Sequence, residues 1–129
     1  MPATRSFEYA LVRVVPRVER GEFVNAGVIL YCRSLEFLET ALALDRARLL
    51  ALAPGTDVTM VEAHLEAVAH VCRGGAGAGP IGTLTQAERF RWLVAPRSTM
   101  IQCSPVHEGM CDDPREALAD ALRKLVQAS

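Results

Sequence analysis

Two runs of β-branched and aromatic residues dominate the first quarter of the chain. Residues 7–15, with the sequence FEYALVRVV, form the first run, and residues 22–32 form the second. Such runs are typical of strands. The short connection over residues 16–20 therefore predicts an antiparallel β-hairpin.

The expected register of this hairpin follows from the position of its turn. With the turn centred on Glu19, Arg13 lies opposite Asn25, and Leu11 lies opposite Gly27. The other expected pairs on this side of the sheet are Val15 with Phe23 and Tyr9 with Ile29. Arg13 and Asn25 then form a polar pair inside an apolar face, and a slip of one residue would dissolve that pair.

The middle of the chain changes from strand to helix. Residues 35–53 suit either structure, and we favour a strand over residues 37–44 followed by a short helical turn over residues 46–52. Asp57 can cap a helix over residues 58–72. The apolar stripe expected to pack this helix on the sheet consists of Val58, Val61, Leu65, Val68 and Cys72.

A glycine- and alanine-rich segment over residues 73–82 predicts a flexible loop. It contains the pattern G-x-G-x-x-G, but it follows a helix and includes Pro80, whereas a dinucleotide-binding loop follows a strand. Thr85 and Glu88 then form a capping box, which predicts a helix that ends before Pro96.

The helix after the capping box carries two sets of side chains at three-residue spacing. Phe90 and Leu93 are expected to face the core. Arg89 and Trp92 share an adjoining face, where the guanidinium can stack on the indole. An ordinary amphipathic helix with a solvated arginine is the alternative.

The last third of the chain predicts one more strand and one more helix. Residues 100–103 resume a strand pattern, and residues 104–109 indicate a loop that contains proline and glycine. Asp113 as a cap and Pro114 at the first helical position predict a final helix.

These elements indicate an α+β fold, with an antiparallel sheet of about four strands and two or three helices packed on one face. The chain has 129 residues, of which 50% are apolar. This length and composition suit a single domain over residues 1–129.

Charge and cysteine usage restrict the classes of partner. Fourteen basic and fifteen acidic residues give a net charge of −1, which does not favour a nucleic acid or an anionic membrane. The sequence has no apolar run long enough for a membrane span and no hydrophobic signal core. We therefore expect a cytoplasmic protein. The four cysteines lie far apart in the sequence and are expected to be free thiols.

Two patterns resemble chemistry but are incomplete. Cys103, His107 and Cys111 lack the paired cysteines of a zinc site, so we expect no metal and no cofactor. Ser104, His107 and Glu108 have the residue types of a hydrolase, but there is no strained nucleophile turn. The remaining candidates for function are polar residues that lie among apolar ones in the sequence. Such polar residues form either a buried hydrogen-bond network or the wall of a site.

The segments VRVVP, RGEFVNAGVIL and RFRWLVAPRSTMIQCSPVHEGMCDDP carry a resemblance to a known family. They resemble the bacterial DUF3037 family, a domain family of unknown function, and the similarity spans nearly the full chain. The resemblance implies a HipA-like kinase protein as a partner, because such proteins are often encoded beside one. The polar residues in the matching motifs are Arg13, Glu22, Asn25, Arg91, Arg97, Ser98, Ser104 and His107.

Two functions remain from the sequence. The first is a non-catalytic interaction or regulatory module that binds a protein partner through the sheet face or the Arg/Trp helix. The second is a small enzyme or ligand-binding protein that acts on a phosphorylated or nucleic-acid substrate. In that case Arg13, Arg91 and Arg97 hold the anion, and His107 is the acid or base. The sequence also leaves open whether the protein forms a homodimer through an exposed sheet edge.

Overall fold

A computed structural model describes residues 4–127 and shows an antiparallel five-stranded sheet with helices on both faces. The strands are β1 (Arg5–Val14), β2 (Val24–Cys32), β3 (Phe37–Leu42), β4 (Ile101–Cys103) and β5 (His107–Cys111). The helices are α1 (Arg46–Leu52), α2 (Val58–Arg73), α3 (Gln86–Val94) and α4 (Pro114–Leu122). The α+β class is confirmed, with one strand more than expected.

The predicted capping residues are found at the N-termini of three helices that the sequence indicated. Asp57 accepts a hydrogen bond from the backbone of Met60 at the start of α2. The Thr85 and Glu88 capping box is present at the start of α3. Asp113 caps α4, with Pro114 in the first turn. These satisfied donors explain why the first residue of each helix could be predicted from the sequence.

The hairpin of β1 and β2 forms with a β-bulge that changes its register. Arg13 lies opposite Asn25, as predicted. Beyond them Val12 pairs with Gly27 and Leu11 with Val28, so Ala26 is the extra residue. The expected pairing of Leu11 with Gly27 was therefore wrong by one residue, because a bulge inserts a residue into one strand alone.

Residues 104–109 were predicted as a loop, but His107–Cys111 form β5. This strand pairs with the first half of β1, from Arg5 to Tyr9, while β4 pairs with the second half, from Val12 to Val14. The sheet order is β3-β2-β1, with β4 and β5 both on the outer side of β1. The unpaired edge of β1 supplies the hydrogen bonds that turn part of the expected loop into a strand.

Alternate residues of β2 face two separate cores. Ile29 and Tyr31 pack against α1, α2 and α3, and we call this side the α1–α3 face. Val28 and Leu30 pack against α4 on the opposite side, which we call the α4 face. The expected cover of two or three helices is thus present on one face, and α4 adds a cover to the other.

The glycine- and alanine-rich segment forms 3₁₀ turns over Ala76–Thr83. The backbone N–H of Gly75 donates to the carbonyl of Gly82 at 3.0 Å, which closes the segment on itself. Within residues 4–127, none of the helices has both the length and the apolar character needed to cross a membrane.

Candidate functional site

The pair of Arg13 and Asn25 lies half-buried on the α4 face of the hairpin. The guanidinium of Arg13 lies 4.2 Å from the centre of the Phe23 ring, on which it stacks. Arg13 Nε and Asn25 Oδ1 are buried, and neither has a hydrogen-bond partner among the described residues. The pair exists as predicted, but its two members do not satisfy each other.

Glu22 and Arg91 each form an ion pair with a different partner at the protein surface. Glu22 accepts a hydrogen bond from Arg20 in the hairpin connection, and this bond lowers the pKa of the Glu22 carboxyl. Arg91 donates to both carboxylate oxygens of Glu8, at 2.9 and 3.0 Å, and so connects α3 to β1. Exposed ion pairs of this kind contribute little to stability.

Ser104 is buried between β4 and β5, and its hydroxyl is used by the sheet. The backbone N–H of Leu11 donates to Ser104 Oγ at 2.8 Å, and the N–H of Ser104 donates to the Leu11 carbonyl at 2.9 Å. The hydroxyl also donates to the Pro105 carbonyl. Ser104 therefore has a structural role, because it bonds β1 at the point where its two partner strands meet.

Replacing Ser104 with Ala should lower the free energy of unfolding by about 2 kcal/mol, because the buried N–H of Leu11 loses its acceptor. Urea unfolding followed by circular dichroism measures this change. The same substitution at the exposed Ser98 is the matched control and should change stability by less than about 0.5 kcal/mol. Equal effects at the two serines would contradict the structural role of Ser104.

Arg97 and His107 lie on opposite faces of the sheet. Arg97 follows α3 and contacts the α1–α3 face beside Leu93. His107 is exposed on β5 and lies opposite Tyr9 on the α4 face, with ring centres 5.4 Å apart. The two residues therefore do not line one cleft, and the eight polar residues taken from the sequence do not form one site.

Arg89 is the buried polar residue that the sequence reasoning placed wrongly. It was expected to stack on Trp92, but its side chain is 7% exposed and points to the end of α2. Its guanidinium donates to the carbonyls of Val71 at 2.9 Å, Cys72 at 2.7 Å and Leu84 at 3.1 Å. Arg89 thus caps the C-terminus of α2, where helix carbonyls lack partners and favour a cation.

The stacking partner of Trp92 is Arg97. The guanidinium carbon of Arg97 lies 4.6 Å from the centre of the indole ring, and Nη2 also donates to the Trp92 carbonyl. No carboxylate of residues 4–127 lies within salt-bridge distance of Arg97. An arginine does stack on Trp92, but it is Arg97, which follows the helix, and the predicted stack of Arg89 on Trp92 was wrong.

Trp92 and Arg97 stand beside a cleft of about 290 Å³, which we call the α2–α3 cleft. Helix α2 contributes one wall, α3 and the segment after it contribute the second, and β4 forms the floor. Its apolar lining includes Val68, Val71, Leu93, Met100 and Ile101. An apolar concave surface with a few polar groups at its edge is typical of a binding site.

Comparison with protein-family models matches residues 9–126 to a family described as a protein of unknown function, DUF3037. The chain belongs to the DUF3037 family. Comparisons with curated proteins and with solved structures found no match. The membership confirms the resemblance seen in the sequence, and the site must be interpreted from its own chemistry.

The lining of the cleft in this DUF3037 domain includes the thiol of Cys103. Burial raises the pKa of Cys103 to about 11, although Arg97 and Arg13 act in the opposite direction. Since the thiolate is the reactive form of a cysteine, a raised pKa disfavours Cys103 as a nucleophile. The rest of the cleft lining is mainly apolar.

Proposed function

We propose that the protein is a non-catalytic interaction module that binds a protein partner through the α2–α3 cleft. The observation that carries this proposal is the stack of the half-buried Arg97 on the exposed Trp92 at the edge of an apolar cleft. Tryptophan and arginine are the residue types most enriched among those that contribute strongly to protein interfaces.

The exposure of Trp92 supports a partner at this surface. Its side chain is 40% exposed, although an indole gains more free energy by burial than most side chains do. Arg97 holds the indole in place from one side, so the surface needs little ordering before it binds. A preorganised surface loses less conformational entropy on association.

The dispersal of polar residues supports a non-catalytic role. The enzyme alternative requires Arg97 and His107 to act on one substrate, and these residues lie on opposite faces of the sheet. Ser104, the candidate nucleophile in the same motif, is buried and hydrogen-bonded to the backbone of β1. We therefore favour the interaction module over the enzyme.

The first partner to test is a HipA-like kinase protein, as the resemblance to the family implies. We also place both proteins in the cytoplasm. All four cysteines are free thiols, which agrees with a reducing compartment.

The purified protein and a HipA-like kinase protein from the same genome should associate in isothermal titration calorimetry. Replacing Trp92 with Ala should weaken the complex at least about tenfold, because it removes the large exposed apolar side chain at the edge of the cleft. Leu125→Ala is the matched control, because Leu125 is 42% exposed and follows α4 on the other face. It should leave the affinity unchanged.

Two results would contradict this proposal. If the proteins show no association and no effect on kinase activity, the HipA-like partner is wrong. If they associate and Trp92→Ala binds as tightly as the wild type, the partner binds elsewhere.

A further inference from the structure

The charge at the edge of the α2–α3 cleft has one sign. Among the described residues, seven arginines have a carboxylate partner, namely Arg17, Arg20, Arg46, Arg73, Arg91, Arg115 and Arg123. Arg97 is not one of them, and no acidic side chain lines the cleft. His64 also lines the cleft, and an imidazole carries no negative charge that could pair with Arg97.

Arg97 has donors left for a ligand. A guanidinium has five N–H groups in a planar fork that matches a carboxylate. One nitrogen, Nη2, donates to the Trp92 carbonyl. The guanidinium carbon lies 4.6 Å from the centre of the indole ring, and this contact holds the guanidinium in place. The nearby hydroxyl of Thr99 already donates to the carbonyl of Ile101 at 2.8 Å. Arg97 is thus the main polar group that the cleft offers.

We infer that the α2–α3 cleft binds an acidic peptide segment of its partner, in which an apolar side chain enters the cleft and a neighbouring carboxylate pairs with Arg97. This inference rests on the proposed function and names the chemistry of the partner. The apolar lining selects the anchor side chain, and the unpaired guanidinium selects the acid.

The position of Trp92 favours a peptide over a small carboxylic acid. The indole extends the apolar surface from the cleft to the solvent, since 40% of its side chain is exposed. A small acid would fill the cleft and leave this surface uncovered. A peptide chain can place its anchor in the cleft and cover the indole with the residues that follow.

Trp92 also provides the measurement, because it is the one tryptophan of the chain. The full-length protein is first used to select binders from a random peptide library that lacks tryptophan. Selected peptides should carry an aspartate or glutamate close to a leucine, isoleucine, methionine or phenylalanine. Their binding should change the fluorescence of Trp92, which measures the affinity directly.

The deciding comparison uses one selected peptide and its variant with Asn or Gln in place of the acid. The wild type should bind the acidic peptide about tenfold more tightly than the amide, because the amide removes the charge and keeps the shape. Arg97→Gln should bind both peptides equally, since the coupling between guanidinium and carboxylate is lost. Arg91→Gln is the control: Arg91 lies on α3, six residues before Arg97, and outside the cleft lining, so this variant should keep the preference.

Three outcomes would overturn the inference. They are selected peptides with no acidic residue, a preference for the acid that survives in Arg97→Gln, and octanoate that binds as tightly as the peptide. Because the library does not depend on the HipA-like partner, these outcomes differ from a failure of the proposed function. A HipA-like protein that does not bind would leave the peptide result intact.

Discussion

Replacing Arg89 with Met should lower the free energy of unfolding by about 3 kcal/mol. Met keeps much of the apolar volume but removes the donors to the carbonyls of Val71, Cys72 and Leu84. A buried carbonyl without a partner costs about 1–3 kcal/mol, and losses of this size are rare for surface residues. Guanidinium chloride unfolding, with the slope of the transition compared between variants, measures the change.

Arg91→Met is the matched control for this experiment. It makes the same substitution two residues away on α3, where the side chain is exposed and pairs with Glu8. The loss should stay below about 1 kcal/mol, as for other surface ion pairs. If the two variants were equally destabilised, Arg89 would not be the cap of α2.

Gly27→Ala should be destabilising by about 2 kcal/mol, because the centre of the sheet has no room for a methyl group. A Cβ at position 27 would lie 2.7 Å from the Ala41 carbonyl oxygen and 2.7 Å from Leu42 Cδ2. Gly27 is buried on β2, so β3 would have to move away, and overpacking of this kind costs about 1–3 kcal/mol. Thermal unfolding followed by circular dichroism tests this.

Gly55→Ala serves as the comparison, because a Cβ at position 55 would meet no atom within 4 Å. Alanine at an open position restricts the unfolded chain and should be neutral or slightly stabilising. A Gly27→Ala variant as stable as Gly55→Ala would show that β2 and β3 are further apart than described.

Most of the secondary structure was predictable because its signals are local. The caps Asp57, Thr85 and Asp113 act within one turn of their helices, so the sequence is enough to place them. The hairpin was predictable from its two β-rich runs. Its register was not, because a single bulged residue at Ala26 shifts all the pairs beyond Arg13 and Asn25.

The errors at the candidate site come from long-range contacts. Arg89 looks like any helical arginine in the sequence, and its role appears only when the end of α2 lies beside it. β5 contains Gly109 and the charged Glu108, and it forms because β1 leaves hydrogen-bonding groups unpaired. Arg97 and His107 are ten positions apart, but the course of the chain takes them to opposite faces.

The division of the outer edge between β4 and β5 limits how the sheet can grow. A long uninterrupted edge strand is a template on which another chain can add a strand. Here the edge consists of three residues and five residues, separated by a segment whose Ser104 hydroxyl is turned back to β1. An added strand would meet a break after a few hydrogen bonds, so this edge is poorly suited to aggregation.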